Sequence, residues 1–598
     1  MAWYDEAVFY HIYPLGLAGA PKQNDYGEPV HRLNTLLPWV DHIKEIGGSA
    51  LYIGPLFESV GHGYETTDYK KLDSRLGTNE DLTAFVAYCH EQGIKVIFDG
   101  VFNHTGRDFF AFKDIQANRE NSQYKDWYCN VNFWGNNEYN DGFSYDNWGG
   151  YNLLVKLNQK NPAVVDYICD VIRFWVSEFD VDGIRLDAAD VLDFDFMKAL
   201  RRTANEVKPD FWLMGEVIHG DYSRWVNGET LHSVTNYTLH KALYSGHNDH
   251  NYFEIAHTVR RLQNMGTLKL YNFVDNHDVE RIYTKLTNKA HFAPVHVLLY
   301  TLPGVPSIYY GSEFGIEGRK EYGSDDSLRP ALNIEDYKDS VKTNPCTALI
   351  AALGKVRQAV PALSYGSYDE LMLTNRQFAY ARDLDGTRVI VSVNNDDAPA
   401  GMHLAAGNCT AYIGALSGEK VSVQDGHINI TQPANSGEIW VPEGTDLNVK
   451  PVKAQSVNVE NTNSINTNIE ASSVDTEKAT DMVVEDTQSE TTKAEDTKAA
   501  APKAETAKTA SENTASETTA KESESESIPN ATASDDPADP STITMDWSKS
   551  PESMTVPELQ AAVLAKLAGN GPVDAQMKKT VVDNIWHDSL VNWLKSFR

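Results

Sequence analysis

The chain has 598 residues, with 84 Asp and Glu against 52 Lys and Arg, a formal net charge of −32. Such a balance argues against nucleic acid or an anionic membrane as a partner and favours neutral ligands. Five scattered cysteines with no CxxC support neither a disulfide framework nor a zinc site, so reduced thiols in a cytoplasm are the simplest reading.

The opening MAWYDEAVFYHIYPLG has no basic stretch followed by an apolar core, so no secretory signal is expected. No apolar run reaches the roughly 18 residues that a membrane span needs. Residues 1–360 alternate short apolar strands with helices. VFYHIYPLG, SALYIGPLF, IKVIFDGVF, VDGIRLDAA, FWLMGEV, SVTNY, KLYNFVDN and VPSIYYG are the strand candidates. NPAVVDYICDVIRFWVSEF is the clearest helix, with Asn161 as N-cap and Pro162 in the first turn. The alternation predicts parallel pairing. Eight strands in a domain of this length predict an α/β fold of the (β/α)8 TIM-barrel type. A doubly wound sheet is the alternative, but no GxGxxG or Walker sequence supports nucleotide binding. Residues 104–160, after strand three, are too long for an ordinary loop and read as an inserted domain.

Residues 361–446 change character. FAYARDLDGTRVIVSVNNDD reads as two strands joined by Asp385-Gly386, and the segment is expected to form a C-terminal antiparallel β-sandwich. Residues 447–545 are Ser, Thr, Ala, Glu, Asp and Lys almost without aromatics, and read as a disordered acidic linker. Its end-to-end distance would be on the order of 50–60 Å. Residues 546–598 read as a small helical module. Thr555 and Glu558 have capping-box spacing, Leu559, Val563 and Leu567 recur at i+4, and Gly569 closes the first helix. A second stretch carries Val573, Met577, Val581 and Ile585. A module this small is marginal alone, so self-association or a protein partner is one expectation and a bundle without a partner the other.

Polar residues recur at strand ends. Asp99, Asn103 and His104 follow strand three, Arg185 and Asp187 end strand four, Glu216 ends strand five, and Asp275, Asn276, His277 and Asp278 end strand seven. In a parallel barrel those ends share one mouth, where such enzymes keep their sites. Arg185 beside Asp187 would lower the carboxyl pKa and fix its rotamer. A second, protonated carboxyl could donate to a leaving oxygen, giving double displacement with retention at a sugar carbon. A lone Asp here also serves as an N-cap, and a lone His as a satisfied core residue. Four strand ends in order form a joint pattern. In the inserted segment, Trp134, Tyr139, Tyr145 and Trp148 suit either stacking on sugar faces or a self-packed excursion.

The chain resembles the α-amylase superfamily of retaining glycoside hydrolases (glycoside hydrolase family 13) over about residues 5 to 445. DGVFNH, GIRLDAAD, GEV and FVDNHD resemble its four motifs, HGYETTDYKKLDSRLGT the segment after strand two and GVPSIYYGSEFG that at strand eight. The resemblance implies Asp187 as nucleophile, Glu216 as general acid/base and Asp278 as transition-state stabiliser. It implies that Arg185 orients Asp187 and that Asp99 partners Arg185. His104 and His277 would bind sugar hydroxyls, Tyr64 would stack beneath that sugar, and Asp325 and Arg329 would border the next one. Asn103 matches a calcium ligand of some members. There is no DxDxDG loop, and catalysis would need no metal or cofactor.

LVKLN at 154–158 and GEVIHGD at 215–221 are similar to the cyclomaltodextrinase, neopullulanase and maltodextrin-hydrolase branch. This chain departs from it in having Ile218 where the branch carries Trp, and in lacking that branch's N-terminal β domain. After Asp187 it reads Ala188, Ala189, Asp190, Val191, without the Lys-His pair of starch-liquefying amylases. These features imply α-1,4 hydrolysis of maltooligosaccharides or cyclodextrins rather than long starch. A glucanotransferase using the same site is the alternative. A non-catalytic sugar-binding or scaffold relative would have lost the carboxylates, and all three remain.

Overall fold

A computed structural model describes residues 2–266, 269–321, 324–447, 554 and 556–569. The predicted barrel is present. Its strands are β1 (Phe9–Ile12), β2 (Ala50–Ile53), β3 (Lys95–Gly100), β4 (Gly183–Leu186), β5 (Trp212–Gly215), β6 (Ser233–Val234), β7 (Tyr271–Asn272) and β8 (Val305–Tyr309). They pair in parallel in the order β6-β5-β4-β3-β2-β1-β8-β7. The ring is nearly closed by a bridge between Thr235 and Tyr271, beside a hydrogen bond from Asn236 N to the Tyr271 carbonyl at 2.9 Å.

Alternation along the strands sorts the core in two. Phe9, Ala50, Tyr52, Ile97, Trp212, Met214 and Tyr271 pack together inside the barrel. Their neighbours Tyr10, Leu51, Ile53, Val96, Phe98, Ile184, Leu186 and Leu213 pack outward in the shell of helices. Asp99 follows Ile97 by two, and Arg185 pairs with both Asp99 and Met214. Both charges therefore belong to the inner face. Gly183 must be small, since a Cβ there would come within 2.5 Å of the Trp212 carbonyl.

The helix Pro162–Phe179 begins as its sequence dictates, with Asn161 Oδ1 accepting from Ala163 N at 2.9 Å. Trp175 on its buried face stacks on Phe57 at 4.4 Å. The chain then turns through Asp180 at φ 54 into β4. Between β3 and this helix, strand His104–Thr105 pairs with Tyr151–Lys156, which pairs with Asn147–Trp148. Tyr145 is buried against Phe112 and Phe143. Arg107 ion-pairs with Asp141 and lies 3.8 Å from the Tyr139 ring centroid. Tyr145 and Tyr139 thus serve this segment's own packing, whereas Trp134 is 98% exposed.

After the barrel come β9 (Ser367–Leu373), β10 (Gln377–Leu384), β11 (Thr387–Asn394), β12 (Ala400–Ala405), β13 (Ala411–Gly414), β14 (Lys420–Ser422), β15 (His427–Gln432) and β16 (Ser436–Pro442). A six-stranded sheet, β9-β10-β11-β16-β13-β14, and a two-stranded one, β12-β15, enclose Ile390, Met402, Leu404, Tyr412, Ile428 and Trp440. Asp385 and Gly386, at φ 49 and 80, make the tight turn between β10 and β11.

The chain divides into two units, residues 1–477 and 478–598. In the second, the helix Val556–Gly569 carries Glu558 in its first turn, and Leu559 and Val563 are buried. Thr555, the acidic stretch 448–545 and the second helical stretch lie outside the described residues. Among the described residues, no helix is long and apolar enough to cross a membrane.

At the opposite end of β4 from the mouth, Asp182 ties the barrel floor together. Its carboxylate accepts from Val96 N at 3.0 Å and pairs with Lys95 at 2.9 Å, Lys208 at 2.9 Å and His90 at 2.6 Å. Burial raises its pKa, but the bonds from His90, Val96, Lys95 and Lys208 outweigh that and hold it well below the usual carboxylate range. Asp182→Asn should cost about 2 kcal/mol at neutral pH, measured by thermal and urea unfolding. A depressed folded pKa means full stabilisation above the unfolded value of about 3.9 and progressive loss below it. The wild-type and variant curves should therefore converge in acid, and a constant gap would refute the assignment.

Candidate active site

Arg185 occupies the centre of the barrel mouth, and three carboxylates share its guanidinium. Nη1 donates to Asp99 Oδ1 at 2.9 Å and to Asp187 Oδ1 at 3.0 Å, and Nη2 lies 2.9 Å from Glu216 Oε2. Arg185, Asp99 and Asp187 are buried. Asp99 also accepts from the Tyr52 hydroxyl at 2.8 Å, which leaves it fully engaged and turned into the barrel. Asp187 and Glu216 face the mouth from adjacent strand ends. Glu216 is held by Ala188 N at 3.1 Å and by the Tyr237 hydroxyl at 3.3 Å.

Asp278 stands in a different field. His277 Nε2 is 3.0 Å from its Oδ2, and Arg329 Nη2 donates to its Oδ1 at 2.8 Å. Arg329 also reaches Asp325 at 3.1 Å. Tyr64 hydrogen-bonds His277, and its ring lies parallel to that imidazole at 5.8 Å. His104 is buried, with Nε2 3.1 Å from the Tyr64 carbonyl. Burial pushes its pKa down to about 4, so it is neutral at pH 7. The mouth therefore gathers Tyr64, Asp99, His104, Arg185, Asp187, Glu216, His277, Asp278, Asp325 and Arg329. Asp275 does not join them. Its carboxylate is buried and accepts from Ile282 N and Ser312 Oγ, both at 2.8 Å.

The acids are driven in opposite directions. Burial is the largest influence on Asp187 and pushes it well above the usual carboxylate range. Arg185 pulls it down, while Glu216, Asp99 and Asp278 push it further up. The sequence reading expected the guanidinium to lower this pKa. That pull is real, but one cation shared among three carboxylates does not offset burial and the like charges. Burial also raises Asp278, yet His277, Arg329 and Arg185 prevail and hold it far below the normal range.

Sequence reasoning missed two contributors, Tyr52 and Tyr237, and placed a third, Asn276, at a strand end without giving it a role. Tyr52 lies two residues after Ala50 on the inner face, so alternation alone could have placed it beside Asp99. Asn276 fixes the turn by accepting from Asp278 N at 2.8 Å and donates to the Tyr237 hydroxyl at 3.1 Å. Tyr237 opens a helix far from any motif, and no local signal marked it.

This constellation at the carboxyl ends of a parallel barrel defines a glycosidase-type site. The family profile described as "Alpha amylase, catalytic domain" matches residues 31–355, and the chain belongs to the α-amylase family of glycosidases. A cyclomaltodextrinase of Bacillus sp is 31% identical over 422 residues, covering 66% of this chain and 74% of that protein. An intracellular maltogenic amylase of Bacillus subtilis is 28% identical over 418 residues, covering 66% and 69%. A solved cyclomaltodextrinase structure matches with a TM-score of 0.66 at 26% identity, covering 73% of this chain and 78% of that one.

Asn103 was a candidate calcium ligand. It is buried and its Oδ1 has no hydrogen-bond partner among the described residues. Calcium takes about 6–8 oxygens, usually including several carboxylates. Among the described residues no group of three or more His, Cys, Asp or Glu is placed to hold a metal. The donor set does not fit a carboxylate-built calcium site.

Arg185→Lys tests the shared cation. A lysine supplies one point charge and cannot bridge three carboxylates from two nitrogens. We expect kcat to fall by about 100-fold or more, with the unfolding midpoint measured alongside to separate loss of fold. Near-normal turnover would show that the fork geometry is dispensable.

Proposed function

We propose that this protein is a retaining glycosidase that hydrolyses α-1,4-glucosidic bonds of short maltooligosaccharides and cyclodextrins in the cytoplasm. The observation that carries the proposal is the placement of Asp187 and Glu216 on the two terminal nitrogens of one guanidinium at the barrel mouth. In the first step Asp187 attacks the anomeric carbon while Glu216 protonates the departing oxygen. A covalent glycosyl-enzyme results. In the second step Glu216 takes a proton from water, which attacks the same carbon and releases Asp187, so the α configuration is retained.

The protonation states follow from the charge count. Three carboxylates around one guanidinium favour the retention of one proton among them. The positive charge that develops at the anomeric carbon favours an ionised Asp187 and leaves the proton on Glu216. Asp278, ionised throughout the working range, stabilises the same charge from the other side. Tyr64 supplies a sugar platform, and His104 and His277 bind hydroxyls. The names of the relatives and the missing Lys-His pair after Asp187 support short or cyclic substrates. The intracellular relative supports the location.

Maltotetraose followed by proton NMR tests the reading. Smaller sugars should appear first as the α anomer. Products longer than the substrate would make the protein a glucanotransferase. Asp187→Asn, Glu216→Gln and Asp278→Asn should each lower kcat by about 1,000-fold or more. The raised pKa of Asp187 also has a pH signature. Activity needs that carboxylate ionised, so the acid limb of kcat/KM should lie above the ordinary aspartate value of about 3.9. A limb at or below that value would contradict the field described for Asp187. Every residue assigned to this site lies before 447, so a chain ending at 447 should keep its turnover.

A further inference from the structure

Arg329 reaches Asp278 from the position just after the short 3-10 turn Asp326–Leu328. Besides Asp278 it donates from Nε to the His277 carbonyl at 3.1 Å, and its Cζ lies 4.7 Å from the Tyr13 ring centroid. A long cationic side chain keeps one geometry only if its backbone is held.

The backbone is held on both sides. The Leu328 carbonyl accepts from the Tyr309 hydroxyl at 2.9 Å and from Arg281 Nη2 at 3.2 Å. The Pro330 carbonyl accepts from the Tyr310 hydroxyl at 2.9 Å. The carbonyl of Arg329 itself rests on Gly16, where a Cβ would come within 2.4 Å. Tyr309, Tyr310 and Arg281 are all buried. Arg281 is fixed in turn, with Nη1 donating to the Tyr310 carbonyl at 2.8 Å and to Ser312 Oγ at 2.9 Å, while Ser312 donates to Asp275. This is the work of the carboxylate that points away from the mouth.

We infer that Tyr309, Tyr310 and Arg281 are positioning residues for the glycosidic reaction. By gripping the carbonyls that flank Arg329, they set its guanidinium and through it Asp278. The inference rests on the reading of Asp278 as transition-state stabiliser. The end of β8 then serves as the mount for a group that steadies a catalytic carboxylate.

The test uses the full chain with Tyr309→Phe, Tyr310→Phe and the two combined, each alone and with Arg329→Gln. Phenylalanine keeps the ring packing and removes only the hydroxyl. The combined variant should lower kcat on maltotetraose on the order of tenfold, with KM changing less. In the Arg329→Gln background it should cause no further loss, because the hydroxyls act through that guanidinium. Asp278→Asn is the reference. Retained kcat in Asp278→Asn would overturn the reading of Asp278 and the inference with it. Lost kcat in Asp278→Asn, together with either unchanged kcat in the combined variant or a loss that adds to that of Arg329→Gln, would overturn the inference alone.

Discussion

The site depends on one buried guanidinium. Arg185 is 2% exposed and carries Asp99, Asp187 and Glu216. Burying a lone guanidinium would be prohibitive, and burying a carboxylate cluster without one would be worse. Each side therefore requires the other, and both require the barrel. Four side chains from three adjacent strands meet at one point only because β3, β4 and β5 run parallel in register, with Asp99 opposite Arg185 and Arg185 opposite Met214. The apolar layer beneath, from Phe9 to Trp212 and Tyr271, keeps water out of the barrel and the charges at its rim.

The same carboxyl chemistry then serves opposite ends. Asp187 shares its cation with two other anions, and burial pushes it up. Asp278 faces His277 and Arg329, the latter shared with Asp325, and is driven down although burial opposes it. Pairs of acids whose surroundings push them apart are how one protein holds a proton in one place and a fixed negative charge in another at the same pH. The sign of the neighbouring charges separates the two, and Asp278 is also the more exposed, with 34% of its side chain accessible against 10% for Asp187.

What the sequence could reveal follows from what is local. All eight barrel strands were legible because each is a short apolar run broken by turn residues, and the order of polar residues at their ends located the mouth. The N-cap at Asn161 and the tight turn at Asp385-Gly386 were legible because their causes lie within a few residues. The sign of the Asp187 shift was not, since it depends first on the burial of that carboxyl and then on Glu216, Asp99 and Asp278 arriving from three other strand ends. Nor was the burial of Tyr145, because Phe112 and Phe143 reach it only after the inserted segment folds. Tyr237 belongs to the same class, since its hydroxyl meets Glu216 across 21 residues of chain.

The small residues around the acids have a physical reason that the motif itself hides. Ala188 adopts a left-handed conformation at φ 46, which costs on the order of 1 kcal/mol for a residue with a Cβ. In return its N–H points at Glu216 Oε2, and the chain turns at once into the 3-10 segment Ala189–Val191. That turn lies against the end of β5. A Cβ on Gly215 would come within 2.7 Å of the Ala189 Cβ, so the residue before Glu216 has to be glycine and the second residue after Asp187 cannot be large. The backbone bond from Asp190 N to the Glu216 carbonyl at 3.2 Å ties the two loops together. GIRLDAAD and GEV are thus one packing unit. The alanines and the glycine let two strand ends approach closely enough for a single guanidinium to serve both carboxylates.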